Sequence, residues 1–384
     1  MKLPEQFSTV AELLHDEAVA ATGLDDFGKQ DYLEALQVLL TAYDETARFG
    51  ELGRFASVAS LVNCLKGRLY TQHGITQNPD CVNQRIEQPV FIVGLPRTGT
   101  TILHRLLAQH RANQGLEYFI GSYPMPRPPR EQWRELEGYK AVDSSLEMLG
   151  QINPELKAIH EMTTEGVDEC RLLLMQSFAN VTFQSNASVP GYEQWLYQAD
   201  FEGVYRDYYQ ALQLIGSTAP GKRWILKDPS HMWAMDTLLG CFPDAIIVQT
   251  HRDPVELIPS VSSLVMSAKN MNEPDADEQS VGAQQLEQWA TVLEKTMAVR
   301  DRHPDSFMDI YFQDFMVDPM AQLDSIYKKL NEPLQGHDRK VMAKWLASNP
   351  QGKHGAHHYT AEDFGLSKER IRERFSVYCR RFGR

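Results

Sequence analysis

Apolar residues recur along this chain with two different periods, and the switches between them lay out its architecture. Tyr32-Leu33-x2-Leu36-x2-Leu39-Leu40 and Leu61-x3-Leu65-x3-Leu69 repeat every three or four residues, the spacing of one helix face, with Gly50 and Gly53 punctuating the interval between them. Residues 1–88 are therefore expected to form a helical segment packed on a later core. At Val90-Phe91-Ile92-Val93 the pattern becomes a short unbroken apolar run that ends at Gly94, and Ile102-Leu103-His104-Arg105-Leu106-Leu107 returns to helical spacing. The prolines of Tyr123-Pro124-Met125-Pro126-Arg127-Pro128-Pro129 exclude regular helix and predict an extended surface connection, either a plain linker or one wall of a pocket. From 131 to 215 the pattern is mainly helical, including a Glu- and Leu-rich stretch over 165–178. Two further buried strands are expected at 223–226 and 245–250, with a helix between them. A long helix around 283–302, a last strand at 307–312 and an amphipathic helical tail from 360 to 384 follow. No internal repeat or low-complexity tract interrupts this order.

Strands alternating with helices through short links predict an α/β fold with a parallel sheet. The expected division is a helical N-terminal segment, 1–88, on an α/β domain, 89–384, that carries a helical insertion at about 111–220. The N-terminal segment offers no chemistry and reads as scaffold.

Composition narrows the function classes. The 384 residues are 42% hydrophobic and 23% charged, as in an ordinary globular protein. A formal net charge of −13 argues against a general nucleic-acid binder, although local convergence of Arg and Lys can still hold a polyanion. Cys64, Cys81, Cys170, Cys241 and Cys379 are scattered without a C-x2-C pair, which fits free thiols better than disulfides or a zinc site. No secretory signal or apolar run of membrane-spanning length is evident, so the expected location is the cytoplasm, without stable membrane insertion. The oligomeric state, a homo-oligomer included, is left open.

The chemistry gathers at the ends of three predicted strands, where ligands of open parallel sheets bind. Gly94-Leu95-Pro96-Arg97-Thr98-Gly99-Thr100-Thr101 joins a strand to a helix, a connection that aims backbone N–H groups and a helix N-terminus at an anion. Gly94-x4-Gly99 has the spacing of a nucleotide P-loop, but Thr100 stands where that loop carries lysine, and Arg97 supplies the cation instead. The other two clusters are Lys227-Asp228-Pro229-Ser230-His231 and His251-Arg252-Asp253-Pro254. Taken singly, Arg97 suits a surface turn, Thr100 and Thr101 suit helix capping, Lys227-Asp228 suits an ion pair and Asp253 suits a turn. Arg252, directly after an apolar strand, is more economically explained by an anionic partner.

Together these residues resemble the sulfotransferase superfamily that uses 3′-phosphoadenosine 5′-phosphosulfate (PAPS), most closely a bacterial-type branch with a Pro-Arg-x-Gly-Thr-Thr loop. The likeness runs from Phe27-Gly28 to His357-His358-Tyr359 and Asp363-Phe364-Gly365-Leu366. It implies a P-loop-type α/β fold and sulfuryl transfer from PAPS, leaving PAP, to the hydroxyl, less readily the amine, of a small-molecule acceptor. It implies that Arg97, Thr98, Gly99, Thr100 and Thr101 hold the 5′-phosphosulfate and that Arg252 and Ser260 read the 3′-phosphate. Lys353 and His354 of Gly352-Lys353-His354-Gly355 would close over that phosphate, and Lys227 would lie near the transferred group. No metal is expected. For the catalytic base the sequence offers three candidates: His160, favoured because its segment upstream of Glu165 and Glu169 resembles that of this branch; His231, by its position just beyond Lys227; and Glu117, where related tyrosylprotein enzymes carry a Glu after the first helix. Glu169 is read as orienting a histidine or binding substrate. The aromatic and Met-rich insertion suits an apolar or aromatic acceptor body, lipid or glycan conjugates included. The competing readings are a P-loop kinase or NTPase, weakened by Thr100, and a non-catalytic PAPS-binding scaffold.

Overall fold

A computed structural model describes residues 4–152, 162–349 and 359–383. Five strands form one sheet: β1 (Val90–Val93), β2 (Asn113–Gln114), β3 (Arg223–Lys227), β4 (Ile246–His251) and β5 (Phe307–Tyr311). Their order is β2-β3-β1-β4-β5, and every neighbouring pair is parallel. All four residues of β1 are buried, as expected of a central strand covered on both faces. Its side chains alternate between two cores. Phe91 and Val93 join a large cluster with Leu226 and Ile247, whereas Val90 and Ile92 pack with Leu103, Ile225 and Val248 on the opposite face.

The register puts Ile92 beside Lys227 and Val248, so β1, β3 and β4 end at one level and present their polar sequels together. Helix α4 (Thr100–Leu107) starts directly after the β1 loop and buries Leu103, Leu106 and Leu107 against one face. The helices Glu202–Gly216 and Glu278–Arg302 cover the other.

The N-terminal helices α1 (Ala11–Thr22), α2 (Tyr32–Glu45) and α3 (Glu51–Gln77) share a core with residues 175–196 of the insertion. Gly53 does not break this region. It lies inside α3, where a Cβ would come within 2.0 Å of the Asn272 carbonyl oxygen, so its glycine serves a close helix contact. Residues 165–178 are not one helix either. A turn and a single bridge, Glu117 to Val167, precede the short helix Arg171–Leu174 and a 3₁₀ turn over Met175–Ser177. The proline segment is irregular, as its composition requires, but half-buried rather than spread on the surface. It is held by Arg127, whose guanidinium bonds Glu117, Gln114 and the Gly115 carbonyl and lies over the Trp224 ring.

Candidate active site

The loop after β1 is built around backbone conformations that side chains resist. Gly94 has φ +141°, and a Cβ there would lie 2.3 Å from Thr250 Oγ1 and 2.7 Å from the Thr250 carbonyl oxygen. Gly99 has φ +84° and precedes the first turn of α4. Arg97, at φ +72°, is a non-glycine residue in the left-handed region, a strained conformation that surrounding structure has to hold. Thr98 provides part of that hold. It is buried, donates to the Leu95 carbonyl at 2.7 Å and meets the Thr250 hydroxyl at 2.5 Å, tying the loop to β4. Thr100 and Thr101 open α4, where the first N–H groups have no partner within the helix. A turn of this shape with a helix N-terminus behind it has the geometry of an anion cradle, and a Cβ at Gly94 would push the loop away from β4 at Thr250.

At the end of β4, Arg252 reaches back to the same loop. Its Nη1 donates to the Arg97 carbonyl at 3.0 Å, its Nε and Nη2 contact Glu256 Oε2 at 3.0 and 2.9 Å, and its guanidinium lies 4.4 Å from the centre of the Phe312 ring. Phe312 also lies 3.2 Å from where a Gly99 Cβ would stand. It follows β5 rather than ending it, and its β-like composition concealed this role. Ser260 lies in the second turn of the helix Pro254–Asn272 and is buried.

At the end of β3, Lys227 is only 2% exposed. Its ammonium donates to Glu169 Oε1 at 2.6 Å and to Thr101 Oγ1 at 3.4 Å. Glu169 also pairs through Oε2 with Arg171 Nε at 3.0 Å. The backbone fixes this arrangement, because Cys170 N–H donates to the Lys227 carbonyl at 3.1 Å and Arg171 N–H to Asp228 Oδ2 at 2.6 Å. Asp228 Oδ1 accepts from Ser230 N–H at 2.8 Å. Burial, with the Glu169 carboxylate adding to it, pushes the Asp228 carboxyl up to about 6. Both Asp228 oxygens are thus engaged by backbone N–H groups, which makes this residue a poor candidate for the strand-end magnesium ligand of a kinase.

The structure therefore brings Arg97, Thr98, Gly99, Thr100, Thr101, Arg252 and Lys227 to one end of the sheet. His231 is placed differently. It is fully buried, packs edge-on to Phe91 at 5.0 Å, and bonds Tyr205 OH through Nδ1 at 2.7 Å. Burial lowers its pKa to about 3, so the ring is a neutral core side chain without access to an incoming hydroxyl. Glu117 is engaged by Arg127 at 3.1 Å and clamps the proline segment. His160, Lys353 and His354 lie outside the described residues.

A family model described as "Sulfotransferase family" matches residues 89–336. This chain belongs to the sulfotransferase family. Over nearly its whole length it is also similar to two crystal structures from mycobacteria. For sulfotransferase STF1 of Mycobacterium tuberculosis H37Rv the TM-score is 0.89 at 35% identity, covering 97% of this chain and 100% of that one. For sulfotransferase STF9 of Mycobacterium avium the TM-score is 0.89 at 27% identity, covering 97% and 96%. A curated relative, omega-hydroxy-beta-dihydromenaquinone-9 sulfotransferase Stf3 of Mycobacterium bovis, is 26% identical over 261 residues. That match covers 64% of this chain and 63% of Stf3, so it spans less than two thirds of the relative's length.

Next to Ser230 lies a small apolar pocket with accessible space for about one water molecule, lined by Leu174, Val181, Leu196, Phe201, Val204 and Trp233, with Asn180, Tyr205 and Ser230 as polar neighbours. Asn180 Nδ2 donates to Ser230 Oγ at 3.3 Å. Trp233 Nε1 is buried without a hydrogen-bond partner among the described residues. No helix among the described residues is long and apolar enough to cross a membrane.

Proposed function

We propose that this sulfotransferase takes its sulfuryl group from PAPS and passes it to the hydroxyl of an apolar acceptor. The observation that carries this reading is the position of Lys227, whose ammonium touches both the anion loop at Thr101 and the insertion carboxylate Glu169. The loop N–H groups and Arg97 bind the 5′ anion, and Arg252 binds the 3′-phosphate. PAPS supplies an activated SO3 unit whose departure leaves negative charge on a phosphate oxygen. Lys227 and the loop donors meet that charge without rearranging, the condition under which fixed donors accelerate a reaction most.

Glu169 is the side chain best placed to take the acceptor proton. It is partly open, stands where the insertion meets the end of β3 and is oriented by Lys227 and Arg171. His160 is the competing base. A pH–rate comparison of Glu169→Gln with His160→Asn separates them, because only loss of the true base removes the acidic limb. For the acceptor, the aromatic and Met-rich composition of the insertion suits a largely hydrocarbon body with a polar group, in keeping with the relative named for an omega-hydroxylated dihydromenaquinone.

The experiment is a calorimetric titration with PAP, using ATP and AMP as controls, without magnesium. Preference for PAP, followed by PAP release from PAPS in the presence of a long-chain prenyl alcohol, supports the reading. Equal affinity for ATP overturns it.

A further inference from the structure

Arg252 already binds an anion belonging to the protein. Its guanidinium has two edges able to grip an oxyanion, and the edge formed by Nε and Nη2 is filled by Glu256 Oε2 at 3.0 and 2.9 Å. Nη1 spends one proton on the Arg97 carbonyl, and Phe312 covers one face. The pair is not the usual decoration of a helix surface. Arg252 precedes the helix that starts at Pro254, whereas Glu256 lies in its first turn, where a carboxylate is favoured by the helix dipole. The Glu256 side chain is half exposed, so it can leave Arg252 for water at small cost.

We propose that Glu256 is an internal competitor for the 3′-phosphate, setting how tightly the sulfotransferase holds PAPS and how readily it lets PAP go. The inference rests on the reading of Arg252 as the 3′-phosphate ligand. A phosphate arriving at Arg252 either displaces the Glu256 carboxylate or binds beside it, and in both cases meets a negative charge a few ångströms away. At such distances in a solvated site, one like charge weakens binding by about three- to tenfold. The benefit is kinetic. PAP carries every phosphate contact that PAPS makes, so a site that gripped the 3′-phosphate without opposition would retain its product. Glu256 lowers affinity for both nucleotides equally and hastens release.

The test is calorimetric titration of PAP and AMP into wild type, Glu256→Gln, Glu256→Ala and Arg252→Ala. Both Glu256 variants should bind PAP about three- to tenfold more tightly, with AMP unchanged. The gain should shrink between about 0.05 M and 0.5 M salt, because the charges involved are exposed. In turnover with PAPS and a prenyl alcohol, KM for PAPS should fall while product inhibition by PAP grows. If Arg252→Ala loses PAP affinity but the Glu256 variants bind PAP no better than wild type, the competitor role is refuted and the 3′-phosphate reading stands. If Arg252→Ala binds PAP as wild type does, that reading fails and the inference with it.

Discussion

Lys227→Met tests the proposed chemistry most directly, because the substitution keeps the unbranched apolar stem and removes the charged donor at its end. The ammonium is almost wholly buried and 2.6 Å from Glu169 Oε1. Its loss does not strand Glu169, which keeps Arg171 at 3.0 Å. The stability cost should therefore be that of one buried charged hydrogen bond, about 1–3 kcal/mol. For a chain of this size that corresponds to a fall in Tm of about 1–4 °C. The kinetic cost should be larger. If the ammonium meets charge that develops only as the sulfuryl group departs, kcat should drop by about 10²–10³, or about 2.7–4 kcal/mol. PAP lacks the transferred group, so its Kd should rise by no more than about tenfold. The assay is PAP release from PAPS with a prenyl alcohol, alongside PAP calorimetry and a thermal melt of the same preparation. A kcat within about threefold of wild type would refute the role of Lys227. A rise in the Kd for PAP with kcat unchanged would instead make the residue a uniform binder of the nucleotide.

Three further outcomes follow from the same geometry. Gly94→Ala should abolish PAP binding and lower Tm by about 3–5 °C, because its Cβ would lie 2.3 Å from Thr250 Oγ1 and 2.7 Å from a backbone oxygen that cannot retreat; unchanged melting and titration would show that the loop relaxes freely. His231→Gln should leave kcat within about threefold and cost about 1–3 kcal/mol of stability by disturbing the Tyr205 hydroxyl, whereas a folded variant with kcat lost would return His231 to the list of bases. Asp309 governs part of the acid limb: burial raises its pKa, but hydrogen bonds from His251 and Arg300 outweigh this and bring it from 3.8 to about 2. A depressed carboxylate stabilises the fold above its unfolded value and loses that contribution as pH falls through the folded value, so Asp309→Asn should flatten the loss of stability between about pH 4 and pH 2 in urea titrations, and an unaltered slope would contradict the assignment.

The sheet and the glycine-bounded loop after β1 were legible because their local demands have few solutions. A continuous run such as Val90–Val93 bounded by Gly94 fits a doubly covered strand, and a turn with positive φ at both ends needs glycine there. Features set by distant chain were not legible. Gly53 resembles a helix breaker until Asn272 is seen packed against it. Phe312 reads as the end of a strand, yet its ring supports Gly99 and Arg252. His231 has the composition of a catalytic neighbour to Lys227, but the 3₁₀ turn Pro229–Ala234 rotates it into the core beneath Phe91. Spacing alone cannot tell which side of that turn a histidine occupies. Arg127 lay unnoticed among prolines, although its bonds to Glu117, Gln114 and the Gly115 carbonyl shape that segment.

The pairing of Glu169 with Lys227 also explains how two separately built halves of the site stay aligned. The loop half is set by β1 and β4 through Thr98 and Thr250. The insertion half is sewn to β3 by two backbone contacts, Cys170 N–H to the Lys227 carbonyl and Arg171 N–H to Asp228. Because β1 and β3 are hydrogen-bonded neighbours with Ile92 beside Lys227, the distance from the anion loop to Glu169 is fixed by sheet register rather than by the path of the long insertion. In such an arrangement, substitutions at Lys227, Asp228 or Cys170 should disturb the spacing between loop and insertion, and with it the rate of transfer to any acceptor.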